Sequence, residues 1–222
     1  MKLAVIVPML NEAEQIGAAL ASARAEGVEL IAVDGGSSDG TPERAAAAGA
    51  RVIRSAPPRA RQLGAGADRT GADAIVFLHA DTRLPPGFDT AVRAALRDPA
   101  VVGGAFRFRF DQPSLSLRVV EWGARLRCAL FDLPYGDQAL FVRREVLERI
   151  GGVPQAPILE DLDLVKAMRR HGRLTRLRLP ATTSARRYRA GGVFRTMFRH
   201  WLVASAWLLG LDRERIAAWY GR

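Results

Sequence analysis

His79, Ala80, Asp81 and Thr82 directly follow the apolar run of residues 74–78, Ala-Ile-Val-Phe-Leu. A short β-branched and aromatic run that ends in polar residues reads as a buried strand whose C-terminal end opens into a site. Open α/β sheets bind ligands at that end of their strands. A carboxylate placed there can hold a hard divalent cation, and the cation can hold a diphosphate. An aspartate that only caps a turn is the plain alternative.

Three more polar segments fall in comparable places. Val7-Pro8-Met9-Leu10-Asn11-Glu12 ends one apolar run, and Val33-Asp34-Gly35-Gly36-Ser37-Ser38-Asp39-Gly40-Thr41 ends another. Arg59-Ala60-Arg61-Gln62 opens a helical stretch containing Gly64 and Gly66. Each has a bland reading. Pro8 and Asn11 can shape a turn and cap a helix, the Gly-Ser-Asp stretch can be a tight turn, and Arg59 and Arg61 can face solvent. Four such segments at one edge of one sheet argue for a site.

The elements that must position them alternate over the first 100 residues. Residues 3–7, 30–33, 51–54 and 74–78 read as strands. Asn11 reads as a helix N-cap, with Glu14 three residues on completing a capping box. Thr41-Pro42-Glu43 starts a second helix with proline in its first turn, which Gly49 would stop. Residues 59–69 read as a third helix, and Pro86 opens a fourth that runs to about Leu96. This order implies a parallel sheet covered by helices on both faces. The second half is more mixed. Residues 101–110, 139–142 and 174–179 read as strands. Residues 114–129, 144–150, 160–171, 193–209 and 213–220 read as helices, with Gly172 ending the third of these. No repeat, linker or boundary interrupts the chain. It reads as a single domain over 1–222, with a core of about 1–190 and a helical extension over 191–222.

Composition bounds the class. The chain has 222 residues, 49% hydrophobic and 25% charged, as in an ordinary globular domain with a real core. One cysteine, Cys128, excludes an internal disulfide and fits a reducing cytoplasm. The first apolar run is too short for a signal peptide. No run approaches the roughly 18–20 apolar residues that span a bilayer. Net charge is +10, and of 33 basic residues only Lys2 and Lys166 are lysine. Arginine forks match phosphate geometry. Partners consistent with that charge are nucleic acid, an anionic membrane surface or a phosphorylated substrate. Residues 186–222 carry eight arginines against only Asp212 and Glu214. Within them, residues 193–209 form a basic amphipathic pattern with Trp201 and Trp207, suited to an anionic membrane interface, or to packing on the domain or on a second subunit.

In order and content the segments resemble family 2 glycosyltransferases, especially small bacterial members, over roughly residues 1–190. The resemblance rests on Val5-Ile6-Val7-Pro8 with Asn11-Glu12, on the loop Asp34–Thr41, on His79-Ala80-Asp81 at the family's Asp-x-Asp motif, and on Glu160-Asp161 with Asp163-Leu164. It implies the GT-A fold: a Rossmann-like, mainly parallel sheet flanked by helices, here with C-terminal amphipathic helices. It implies a metal-dependent, inverting transfer of a sugar from a UDP- or GDP-sugar to a small-molecule or lipid-linked acceptor. Pro8, Asn11, Glu12 and Asp34 would line the nucleotide pocket, with Arg61 near the base or diphosphate. Asp81 would ligate Mg²⁺ or Mn²⁺, joined by His79 or leaving it to shape the loop. Asp161 would be the general base, aided by Glu160. Asp137 and Gln138 would lie on the acceptor side, and Arg186 and Arg187 in a segment that closes over the diphosphate.

Two positions depart from the pattern. Gly35 stands where many relatives carry a second aspartate, and His79 where they carry the first aspartate of the metal motif. The remaining alternatives are a nucleotidyltransferase of related fold and a non-enzymatic nucleic-acid module. The first lacks an early Gly-rich basic loop. The second lacks an aromatic reading surface, so no nucleic-acid partner is expected. The resulting expectation is a cytoplasmic enzyme, peripheral at the inner membrane surface if the C-terminal helix binds lipid, or a homodimer if that helix binds a second copy.

Overall fold

The computed structural model describes residues 1–220; Arg222, the last arginine of the basic tail, lies outside them. The chain runs β1 (Leu3–Met9), α1 (Ile16–Ser22), β2 (Val28–Asp34), α2 (Thr41–Ala47), β3 (Arg51–Arg54), α3 (Arg59–Ala67), β4 (Ala74–Phe77), β5 (Thr82–Arg83) and α4 (Phe88–Ala95). It continues with β6 (Val101–Phe110), α5 (Leu115–Phe131), a 3-10 turn (Gly136–Gln138), β7 (Phe141–Arg143), α6 (Arg144–Arg149), α7 (Glu160–Met168) and β8 (Arg173–Thr183). Three helices close the described chain: α8 (Arg186–Gly191), α9 (Val193–Leu208) and α10 (Arg213–Tyr220).

One eight-stranded sheet has the order β3-β2-β1-β4-β7-β6-β8-β5. The first four strands are parallel, as their alternation with helices requires. β7 then pairs antiparallel to both β4 and β6, so the sheet is mixed rather than parallel throughout. Every residue of β1 is buried, because helices cover both faces of the centre. α3 approaches β1 closely: a Cβ on Gly66 would run into Ile6 and Val33. Phe106 and Phe141 meet edge to face at 6.1 Å where β6 and β7 join.

Several local expectations are corrected. Asn11 does not cap α1, which starts at Ile16 without a side-chain cap. Asn11 sits at φ 52° and its Oδ1 accepts from the Ser38 amide at 2.9 Å, so it braces the neighbouring loop instead. Glu14 therefore forms no capping box with it. β8 runs past residue 179 through Pro180 to Thr183, and Pro180 follows an irregularity in the β6 register, where a missing N–H is tolerated. β5, α8 and the 3-10 turn are too short to leave a periodic signal. Among the described residues no helix is long and apolar enough to cross a membrane.

Gly104 and Gly123 should respond oppositely to alanine. A Cβ at Gly104 would strike the Thr175 carbonyl oxygen and the Phe141 ring, whereas one at Gly123 in α5 meets nothing within 4 Å. In denaturant unfolding, G104A should lose about 2 kcal/mol or more and G123A gain up to about 1 kcal/mol. Equal midpoints for the two would refute the close β6–β8 packing.

Candidate functional site

Two clefts open at the C-terminal edge of β1, β2 and β4. The first, of about 270 Å³, is lined by Pro8, Met9, Leu10 and Glu12 from the end of β1, Gly35 after β2, Arg59 and Gln62 from α3, and His79, Ala80 and Asp81 after β4. The Gln62 amide donates to the carbonyls of Met9 and Val33 at 3.2 and 3.4 Å. A Cβ at position 35 would collide with that amide, so the glycine at this position is matched to Gln62. The second cleft, of about 340 Å³, is lined by Asp137 and Tyr135, by Glu160 and Asp161 at the start of α7, and by Tyr188, His200, Val203, Ala204 and Tyr220. Arg59, His79, Asp81 and Arg187 line both clefts.

A buried polar network sets the junction. Glu160 is only 3% exposed and forms an ion pair with Arg59. Burial opposes the Arg59 charge, but Glu160 and Asp161 outweigh it and hold the guanidinium more firmly protonated than usual. The other face of Arg59 meets His79 Nε2 at 3.2 Å. Burial and the cations Arg59 and Arg187 hold His79 well below its ordinary pKa. Because a guanidinium only donates, Nε2 of His79 is the acceptor in this contact. Asp161 Oδ2 accepts from the Gly136 amide at 2.7 Å and Oδ1 from the Leu162 amide at 2.9 Å, which fixes the carboxylate at the cleft wall.

Arginines close the first cleft from above. Arg186 pairs with Glu12 at 2.7 Å, and Arg187 reaches Glu12 at 3.5 Å and Asp81 at 3.9 Å. Behind them Tyr188 Oη, His200 and Tyr220 Oη form a chain with both hydrogen bonds at 3.0 Å, tying α8 to α9 and α10.

The structure thus brings Pro8, Glu12, His79, Asp81, Asp137, Glu160, Asp161 and Arg187 to the clefts, with Arg186 adjoining through Glu12. It does not bring all the expected residues. Asp34 is buried, and its carboxylate accepts from the amides of Gly36 and Ser37, holding the loop. Asn11 braces the same loop. Arg61 is exposed on α3 and lines neither cleft. Gln138 is buried and spent internally, donating to the Phe106 carbonyl and accepting from Arg127, both at 3.0 Å. Within the segment Arg59-Ala60-Arg61-Gln62, expected at the site, Arg59 and Gln62 rather than Arg61 line the first cleft. Helical spacing could have found them: positions 59, 62, 63 and 66 share the inward face that carries Leu63 and Gly66. Tyr188, His200 and Tyr220 gave no local signal, because only the folded tail brings them together.

Among the described residues no group of three or more histidine, cysteine or acidic side chains could hold a metal. Asp81 offers one carboxylate, next to the Thr82 hydroxyl at 3.4 Å. That donor set fits a hard cation that keeps water and takes its other ligands from a bound diphosphate.

Residues 4–151 match the sequence profile of glycosyl transferase family 2. The chain belongs to glycosyl transferase family 2. Its architecture is the family's GT-A fold, a central sheet flanked by helices. Among solved structures, a mycobacterial protein is 28% identical, with a TM-score of 0.59 over 82% of this chain and 65% of that one. Glucosyl-3-phosphoglycerate synthase from Mycobacterium tuberculosis, crystallised with Mg²⁺ and uridine diphosphate, is 25% identical, with a TM-score of 0.63 over 82% and 71% of the two chains. The same enzyme with Mn²⁺ and UDP-glucose aligns at 26% identity, with a TM-score of 0.62 over 81% and 69%. The chain therefore spans less than two thirds of the first of these proteins. Among curated proteins, none matches it.

Asp137 gives this site a pH signature. Its Oδ1 is buried without a partner, and burial, with Asp161 and Asp81 nearby, raises its pKa from 3.8 to about 6. An acid whose pKa rises on folding stabilises the fold while protonated. That contribution is full below pH 3.8 and lost as the pH rises through about 6. In the metal-free protein, D137N should therefore gain stability relative to the parent from pH 4 to 7, by up to about 3 kcal/mol. A pH-independent difference in urea midpoint would contradict this.

Proposed function

We propose that this family 2 member transfers a sugar from a UDP- or GDP-sugar to an acceptor hydroxyl with inversion at the anomeric carbon. The observation that carries the reading is the shared wall of the two clefts. Asp81, on a short loop after β4, faces both the first cleft and the cleft that holds Asp161. A donor bound in the first would present its reacting carbon at that junction. Likeness to an enzyme crystallised with UDP-glucose supports a nucleotide-sugar donor and puts uridine first in any screen. Gly35 and Gln62 make the base-facing surface an amide rather than a carboxylate.

Asp161 acts as the base. It takes the proton from the acceptor hydroxyl as that oxygen bonds to the anomeric carbon. The bond from that carbon to the diphosphate oxygen breaks, and its electrons leave with the nucleoside diphosphate. Glu160, paired with Arg59, fixes the turn that presents Asp161. Asp81 would hold Mg²⁺ or Mn²⁺, whose chemistry is to neutralise charge on the departing diphosphate. Arg186 and Arg187 add positive charge above the same groups. Asp137 faces the acceptor. The chain forms one catalytic unit over about 1–190, with α9 and α10 completing the acceptor side.

Two variants separate the roles. With Mn²⁺ and a nucleoside diphosphate at 100 times its dissociation constant, the parent should gain about 2.7 kcal/mol of stability. D81A should lose that metal-dependent gain in a thermal-shift assay. D161N should keep it while turnover falls by about 10²–10⁴-fold. Metal-dependent binding that survives in D81A removes Asp81 as ligand, and full turnover in D161N removes Asp161 as base.

A further inference from the structure

α5 is apolar on two faces. Leu117, Val120 and Ala124 are buried against Phe108 and Phe110 of β6. Leu115, Val119, Trp122, Leu126 and Leu130 recur every three or four residues on the opposite face and are exposed, Trp122 at 61%. α9 repeats the arrangement. Val203 and Ala204 turn inward, while Phe194, Phe198, Trp201 and Leu202 stay exposed, Trp201 at 71%. The two stripes converge, since Leu130 and Phe131 of α5 and Trp201 and Leu208 of α9 line one groove of about 710 Å³. That groove abuts the cleft holding Asp161, because Tyr135 and Ala204 line both.

Charge selects the occupant. Arg118, Arg125, Arg169 and Arg195 are exposed around this surface. The acid within α5, Glu121, is taken up by the Phe110 amide at 2.8 Å and by Arg125 at 3.9 Å, Asp132 at the end of α5 lines the groove opposite Arg127, Lys166 and Arg169, and α9 carries no acid, so cations remain in excess. A second copy would bring the same arginine rows face to face, with a net charge of +10 on each chain. An anionic bilayer satisfies both features, taking the apolar stripes into its acyl boundary and the arginines at its head groups.

We propose that α5 and α9 together form a docking face for an anionic phospholipid bilayer, with the groove between them opening the acceptor cleft toward the lipid. The sequence pattern pointed to the C-terminal helix alone; α5 supplies the other half of the surface. On the transferase reading, the acceptor is then lipid-linked, its hydrocarbon in the groove and its hydroxyl at Asp161. The docking itself does not rest on that reading.

The test is flotation of the full chain with phosphatidylcholine vesicles, with or without phosphatidylglycerol, in the absence of donor. Binding should require phosphatidylglycerol and fall with added salt. The pair W122S and W201S should lower partitioning at least about tenfold, and R118Q with R125Q should do so by about tenfold for anionic vesicles only. Brominated acyl chains should quench the parent's tryptophan fluorescence more than that of W122F/W201F. Absence of flotation with phosphatidylglycerol overturns the proposal. So does a dimer in light scattering that W122S/W201S dissociates while vesicle binding is unchanged. The metal-dependent nucleotide shift, measured without vesicles, reports the donor site separately, so failure of docking and failure of the transferase reading are distinguished.

Discussion

The ion pair of Arg59 with the buried Glu160 is the constraint around which the site is organised. Its partners lie 101 residues apart, at the first turns of α3 and α7. A carboxylate removed from water costs several kcal/mol unless it is paired, so the two helices must meet for Glu160 to be buried at all. The same guanidinium reaches His79 after β4, which brings a third element to the junction. Asp161 follows Glu160 directly, and its place is fixed by this pair on one side and by the Gly136 amide on the other. The negative side chains Glu160, Asp161 and Asp163 crowd the start of α7, where the helix dipole favours them.

The arginines above the first cleft are held differently. Arg186 and Arg187 reach solvent, but the side chains they pair with, Glu12 and Asp81, are largely buried. A carboxylate withdrawn from water needs such a partner, so these pairs tie the arginines to the cleft. The segment is anchored further by Tyr188, which packs edge to face on Phe110 at 4.9 Å and bonds to His200. α9 and α10 are fastened in turn to α7, through Trp207 and Arg213, both of which donate to Asp163. The tail is thus wired to the helix that carries Asp161, and it forms one wall of the second cleft while presenting its other face outward.

Much of this fold was readable in the chain. Continuous apolar runs such as residues 3–7 and 74–78, too short for buried helices and rich in β-branched residues, read as strands buried on both faces, and the polar residues that end them fall at one edge. The position of Asp81 and the rough bounds of most elements follow from local pattern. Residues whose side chains serve distant partners were not readable. Asn11 has the type of a cap but braces a loop, because Ser37 and Ser38 lie within reach. Asp34 and Gln138 have the chemistry of ligand-binding residues, yet their hydrogen bonds are spent on the loop and on Phe106 and Arg127.

By itself, then, the sequence determined the order of the longer strands and helices, the edge of the sheet that carries the site and the family, because hydrophobic periodicity and short motifs are local. Only the tertiary structure decided that Arg59 and not Arg61 enters the cleft, that Gln62 fills the space beside Gly35, and that His79 meets an arginine. It alone brought two apolar stripes, distant in sequence, to the rim of one groove. Those outcomes depend on which groups meet after packing, where burial makes an unpaired charge costly and leaves one partner able to satisfy it.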